Sequence, residues 1–389
     1  MLCPSVPTSV PSQSRWNKKG TTLKPSMPEE PRLVTGGVDT HADFHVAAVV
    51  DEVGRVLGTE KFPATAKGYK ALFAWVTSKG QVNKVGVEGT GSYGAGLSRY
   101  LSGTGTEVVE VIRPNRQARR RRGKSDVTDA VSAALAALNG EASGVPKSHD
   151  GAVEAVRGLQ VARHGAVKAR TQAANQLRDL VLTAPEALRQ GFAGLATEER
   201  VAKAARLRPG RLSGPLEGAK AAMASVARRY QELSAEISRL DDALAELVDR
   251  AAPEDFLAKQ GVGTQVAASL LVTVGDNPSR LKSDRSFAAL CGSSPVDASS
   301  GKQKNHRHRL NQGGDRQANS ALWRIVMTRL AHNDPRTVAY FERRTKEGKT
   351  TKEIVRCLKR YVAREVYKSL VARHGSATQG RTPKNDLAA

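Results

Sequence analysis

The stretch GKSDVTDA, residues 123–130, places two carboxylates, Asp126 and Asp129, three residues apart. It opens the Ala/Leu-rich run DVTDAVSAALAALNG, which reads as a helix stopped by Gly140. Positions three apart share a helix face, so both acids point the same way. Directly before them stands the basic run VIRPNRQARRRRGK. The question is what this pair of acids does beside so much positive charge.

Working outward, LVTGGVDT, FHVAAVV and RVLGTEKF are three short β-rich runs, the last two joined by DEVG. KGYKALFAWVTSKG has helical periodicity, NKVGVEG is a strand, GAGLSRYLSG a short helix and TEVVEVI a fifth strand. Three strands, helix, strand, helix, strand, helix predicts an α/β sheet whose first three strands are antiparallel. From about 150 to 252 the chain reads as helical. Met223, Val226, Tyr230, Leu233, Ile237, Leu240, Leu244 and Leu247 form a heptad seam there. Such a seam suits an antiparallel hairpin within one chain or a coiled coil between chains. The fold class is therefore α/β plus all-α. The expected division is a sheet domain over 33–145, a helical, coiled-coil-like linker over 146–252 and a mainly helical domain over 253–374. In the last, Gly261-Val262-Gly263 forms a helix-hairpin-helix-like turn of the kind that clamps phosphates. Helices are expected to start near Asp315, Asp334 and Thr350. The Pro-rich stretch 1–32 and the tail 375–389 read as disordered.

Lys and Arg number 61 against 38 Asp and Glu, a formal net charge of +23. An anionic polymer is the expected partner. No long apolar segment or basic amphipathic anchor speaks for a membrane. Cys3, Cys291 and Cys357 lie far apart without a CxxC pair, which argues against a zinc ribbon or a disulfide framework. With no apolar leader, the expected location is the reducing cytoplasm, at the nucleoid.

Asp39 ends the first strand and Glu88 the fourth, and Asp126 and Asp129 start the helix after the fifth. Three have an ordinary alternative, Asp126 as an N-cap, Asp129 as a first-turn dipole partner and Asp39 as a turn residue, whereas Glu88, ending the apolar run VGV and flanked by glycine, has no obvious packing purpose. Together, in this order, they can converge on one point and hold hard divalent cations for phosphodiester chemistry.

The stretches GVDTH, VGVEGTGSY, VIRPNRQARRRRGKSDVTDA and FAALCGSSPVDASSGK…HRLNQGGDRQANSALW resemble the DEDD transposases of insertion-sequence family 110, from about residue 34 to 372. The resemblance implies a ribonuclease-H/RuvC-like sheet with Mg²⁺ held by Asp39, Glu88, Asp126 and Asp129. It implies an essential serine in the C-terminal domain: Ser299 counting from Pro295, Ser300 counting back from Gly301-Lys302. It also implies DNA as substrate and a structured guide RNA as partner. With acids and serine in different domains, a site completed across subunits would require at least a dimer. Arg113, Arg116, Arg119, Arg120, Arg121, Arg122 and Lys124 supply a basic approach to the acids. Lys302, Lys304, Arg307, Arg309 and Arg316 do the same around the serines, suiting a developing phosphorane charge. The expected activity is DNA strand cleavage and exchange by a transposase. A junction-resolving endonuclease and a non-catalytic nucleic-acid scaffold are the alternatives.

Overall fold

The computed structural model describes residues 32–111, 125–297, 308–309, 311 and 313–372. The stretches 1–31 and 375–389, the cations from Arg113 to Lys124, and Ser299, Ser300, Lys302, Lys304 and Arg307 lie outside the described residues, as does the side chain of Arg309. The chain divides into two compact units, Met1–Gly144 and Val145–Ala389.

The first unit holds a five-stranded sheet of β1 (Leu33–Thr40), β2 (Phe44–Asp51), β3 (Val56–Pro63), β4 (Gln81–Glu88) and β5 (Glu107–Val111), in the order β3-β2-β1-β4-β5. β1 and β2, and β2 and β3, pair antiparallel; β1 and β4, and β4 and β5, pair parallel. This is the mixed sheet expected from the element order, with the first three strands antiparallel, and it is consistent with the ribonuclease-H/RuvC-like fold that the resemblance implies. Side chains alternate across a strand, and the sheet is covered on both faces. Val34, Val38, Val85 and Val87 pack against Leu72 and Val76 of α1 (Ala66–Thr77) and Leu97 and Leu101 of α2 (Ala95–Gly103). On the other face Ala130 of α3 (Asp126–Leu138) meets Val46 and Ala48. Burial on both sides explains why β1 and β2 read as nearly unbroken apolar runs.

α3 lies unusually close to the sheet, and small residues make that possible. A Cβ on Gly37 of β1 would collide with the backbone N of Ala134 and O of Ala130. A Cβ on Gly86 of β4 would sit 2.6 Å from Ala133 O and 3.0 Å from Ala137 Cβ. Glycine on the strands and alanine on the helix therefore fix the depth of α3. Gly37→Ala is expected to push α3 away and cost about 1–3 kcal/mol, read as a lower urea midpoint. A variant as stable as the parent chain would show that α3 has room to move.

In the second unit α4 (Ala152–Thr183) packs along α7 (Pro215–Ala251), with α5 (Glu186–Gln190) and α6 (Thr197–Ala205) between them in sequence. Contacts from Arg163 to Asp241 and from Gln176 to Arg229 show that α4 and α7 run antiparallel. Of the heptad seam, Met223, Tyr230, Ile237 and Leu244 are buried, whereas Val226, Leu233, Leu240 and Leu247 are half-buried. Met223, Ala227 and Tyr230 share a core with Ala173, Leu177 and Val181 of α4. This part of the seam is therefore covered within the chain.

A second core joins Val156, Leu244 and Val248 of the long helices to Phe256, Phe287, Leu322, Ile325 and Ile354. Its elements are α8 (Glu254–Leu257), α9 (Thr264–Val274), α10 (Asp284–Leu290), α11 (Arg316–Ala331), α12 (Pro335–Lys346) and α13 (Thr351–Tyr367). The Gly261-Val262-Gly263 turn joins α8 to α9. Asp315, Asp334 and Thr350 are the N-caps of α11, α12 and α13, as their residue types predict. A two-stranded ribbon, β6 (Val296–Asp297) with β7 (His308–Arg309), brackets the serine-bearing segment in sequence. Cys291 and Cys357 are free thiols. Among the described residues no helix is long and apolar enough to cross a membrane.

Candidate active site at the end of β1

Gly37 and Gly86 mark the sheet face on which α3 lies. Asp39 and Glu88 follow them by two residues, so the period-two alternation turns both acids to that same face. The parallel register pairs Val38 with Val87, which puts Asp39 and Glu88 beside each other at the ends of adjacent strands. Thr40 Oγ1 donates to the Glu88 carbonyl at 2.8 Å and ties these ends together. The β5 partner of Glu88 is Val111, the first residue of the stretch that carries the basic run.

α3 brings the other two acids. Its N-cap is Ser125, whose Oγ accepts from Thr128 N at 3.2 Å. The cap is thus not Asp126, and the Asp126 carboxylate is not consumed in ending the helix. Asp126 is partly exposed, whereas Asp129 is buried. Both acids lie in the first turn, where the helix dipole favours negative charge.

The group that closes most tightly contains a residue the sequence reading passed over. Among the described residues, Asp39, His41 and Asp126 offer ligand atoms that all lie within 4.8 Å of one another. His41 Nε2 is 3.2 Å from Asp39 Oδ2 and 3.5 Å from Asp126 Oδ1. This nitrogen is buried yet aligned for a hydrogen bond with neither carboxylate. The signal was present in GVDTH, since a residue two after Asp39 falls on the same side of the chain. Glu88 and Asp129 stand outside this three-residue group. Asp129 nevertheless acts on it through its charge. Burial pushes the Asp39 carboxyl above its ordinary value, His41 opposes this, and Asp129 and Asp126 add to it. Arg316 sits in the second unit, in the first turn of α11.

Carboxylates crowded together at partial burial repel one another, and a cation relieves that repulsion. The converging donor set, the two carboxylates of Asp39 and Asp126 and the imidazole nitrogen of His41, with Asp129 and Glu88 outside the group, fits a divalent metal ion. A mixed sheet with acids at the ends of its central strand β1 and the adjacent β4, closed by an acid-bearing helix, defines a nuclease-like class of enzyme acting on phosphodiesters. Residues 36–184 match a family described as transposase, the DEDD type of IS110, and residues 256–342 match the IS116/IS110/IS902 transposase family. A Streptomyces coelicolor protein, described as a mini-circle putative transposase for IS117, is 25% identical over 373 residues, covering 82% of this chain and 89% of that one. The chain belongs to the IS110 family of DNA transposases.

Proposed function

We propose that this transposase cleaves and exchanges DNA strands by phosphoryl transfer at a Mg²⁺ site formed by Asp39, Glu88, Asp126 and Asp129. The observation that carries this reading is the meeting of the β1 and β4 ends with the first turn of α3, where Asp126 comes within reach of Asp39. Bound Mg²⁺ would polarise the scissile phosphate and neutralise charge on the attacking and leaving oxygens. The chain's own groups have separate tasks. Asp39, held in a partly buried position, and Asp126, on a helix that close packing fixes, keep the donor oxygens in place. Asp129 adds negative potential from the buried side.

In this reading Ser299, with Ser300 as the alternate, supplies the attacking hydroxyl from the C-terminal domain, 253–374. The segment 146–252 links that domain to the sheet domain, 33–145. Of the half-buried seam residues, Val226 and Leu247 pack against the chain's own cores, so Leu233 and Leu240 would be the ones offered to a second subunit, and a structured RNA guides the choice of DNA, all at the nucleoid in the cytoplasm. The net charge of +23 supports binding to both polymers.

The test is strand exchange on labelled element ends by the purified protein with its copurifying nucleic acid, with Mg²⁺ or with EDTA. Joined products that require Mg²⁺ are expected. Cleavage without joining would favour a junction-resolving endonuclease, and binding indifferent to Mg²⁺ would favour a scaffold. The basic run adds a quantitative expectation. Replacing Arg119, Arg120, Arg121 and Arg122 with Ala should flatten the slope of log affinity against log salt by about 0.7–0.9 for each phosphate these side chains neutralise. An unchanged slope would remove the run from the nucleic-acid interface.

A further inference from the structure

A different face, within the second unit, has the chemistry of a nucleic-acid platform. α11 buries Leu322, Ile325 and Val326 and leaves Trp323 46% and Met327 37% exposed, with Arg324 exposed beside them. An open groove of about 470 Å³ separates Trp323 and Arg324 from the Gly261-Val262-Gly263 turn. The groove wall is closely packed. Gly261 has φ +88°, and a Cβ there would lie 3.0 Å from Ile325 Cα, so the turn is pressed onto α11.

Gly263 is different. Its φ of −91° suits any residue, and a Cβ there would meet nothing within 4 Å. Neither backbone conformation nor packing asks for glycine. It is the N-cap of α9, no side chain closes that cap, and the first turn carries no acid. The backbone is therefore open to close approach from the groove.

Cations gather at the groove's edge. Arg324 also borders a smaller cavity of about 110 Å³ with Arg163, His164 and Gln265. Protonation of His164 is disfavoured by burial first, then by Arg163, Arg324 and Lys168. One carboxylate is near, Asp241, but Arg163 grips it through Nε (2.5 Å) and Nη2 (3.1 Å), and Gln265 Nε2 donates to it at 2.5 Å. Among the described residues no carboxylate pairs with Arg324 or Lys168. An exposed indole beside unpaired cations and uncapped backbone N–H groups suits a strand with its bases unstacked. Bases stack on aromatic faces whatever their identity, while cations and helix N-termini take phosphates. A paired duplex would keep its bases out of reach of the ring.

We propose that this face docks single-stranded DNA, with a base stacked on Trp323 and the neighbouring phosphate held between Arg324 and the start of α9. The inference uses the family's action on DNA and depends on neither the metal site nor the serine.

The test is fluorescence anisotropy of the full-length protein with labelled oligothymidylate, in EDTA so that metal chemistry plays no part. Trp323→Ala should weaken binding about tenfold, with Trp323→Phe retaining most of the affinity. Arg324→Gln should reduce the salt slope by about 0.7. Gly263→Ala, which adds a methyl group to open space, should weaken binding with unchanged helicity. Undiminished affinity in Trp323→Ala at native helicity overturns the proposal. So does a loss of the same size on duplex DNA, which would mean that no base stacks on the ring. Tighter binding of oligouridylate, with the larger loss from Trp323→Ala, would give the face to RNA instead. A drop in particle mass by light scattering on Trp323→Ala would make it a contact between copies of the chain.

Discussion

Asp126→Asn is expected to lower strand cleavage by at least about a hundredfold while leaving DNA affinity and thermal stability near those of the parent protein. The substitution is nearly isosteric and falls on a side chain that is 44% exposed. The N-cap of α3 belongs to Ser125, so neutralising Asp126 does not unravel the helix start. What it removes is one charged oxygen donor within reach of Asp39 and His41. The loss of several kcal/mol of charge stabilisation corresponds to a hundredfold or more in rate. Ser125→Ala is the matching control. It should cost about 1 kcal/mol of stability by removing the cap and yet retain cleavage, because the carboxylates remain. Single-turnover cleavage of labelled DNA, with thermal unfolding of each variant, measures both. An Asp126→Asn protein that cleaves at the parent rate in Mg²⁺ would exclude this carboxylate from the metal site. Equal losses from both variants would mean that helix order, and not the ligand, sets the rate.

The parts of this molecule that were legible in the sequence are those governed by local chemistry. Strand and helix periods, the stop at Gly140 and the caps at Asp315, Asp334 and Thr350 depend on residues a few positions apart. The order of elements then fixed the antiparallel start of the sheet. The depth of α3 was not legible, because GGVDT and VGVEG look like ordinary glycine-containing strands until Ala130, Ala133 and Ala134 are found lying on them. His41 was missed for a related reason. Its value comes from Asp126, which lies 85 positions away in sequence and 3.5 Å away in space. The heptad seam could not name its own partner, since a stripe of Met223, Tyr230, Ile237 and Leu244 is satisfied by any apolar helix. In the structure α4 covers it through Leu177 and Val181 at the Met223 end. Trp323 and Arg324 drew no attention as a pair because adjacent helical residues carry no periodic signal. Only the turn at Gly261, opposite them, makes them one side of a groove.

The second large effect is expected at the serines. If a serine hydroxyl attacks phosphorus, its oxygen bonds to phosphorus, the DNA oxygen leaves with a proton, and the protein is left esterified to the DNA end. Ser299→Ala should remove both this adduct and recombination, whereas Ser300→Ala should retain part of each. The resemblance to the family points to Ser299 when counted from Pro295 and to Ser300 when counted back from Gly301-Lys302; with Ser299 as the nucleophile, Ser300 would serve the turn and hydrogen-bond the phosphate. Lys302, Lys304 and Arg307 are close in sequence and suit the charge that develops on the phosphorane. Deleting a nucleophile removes the covalent route outright, so the loss should be larger than that of Asp126→Asn. Denaturing gel electrophoresis of labelled DNA, nicked near the crossover to trap the intermediate, reads the adduct as a shifted band. A band that persists in Ser299→Ala and vanishes in Ser300→Ala would exchange the two roles. Active protein that never gives a band would replace serine attack with attack by water or a DNA hydroxyl. In that case Asp126→Asn should still abolish cleavage, because the carboxylate site would be carrying the whole reaction.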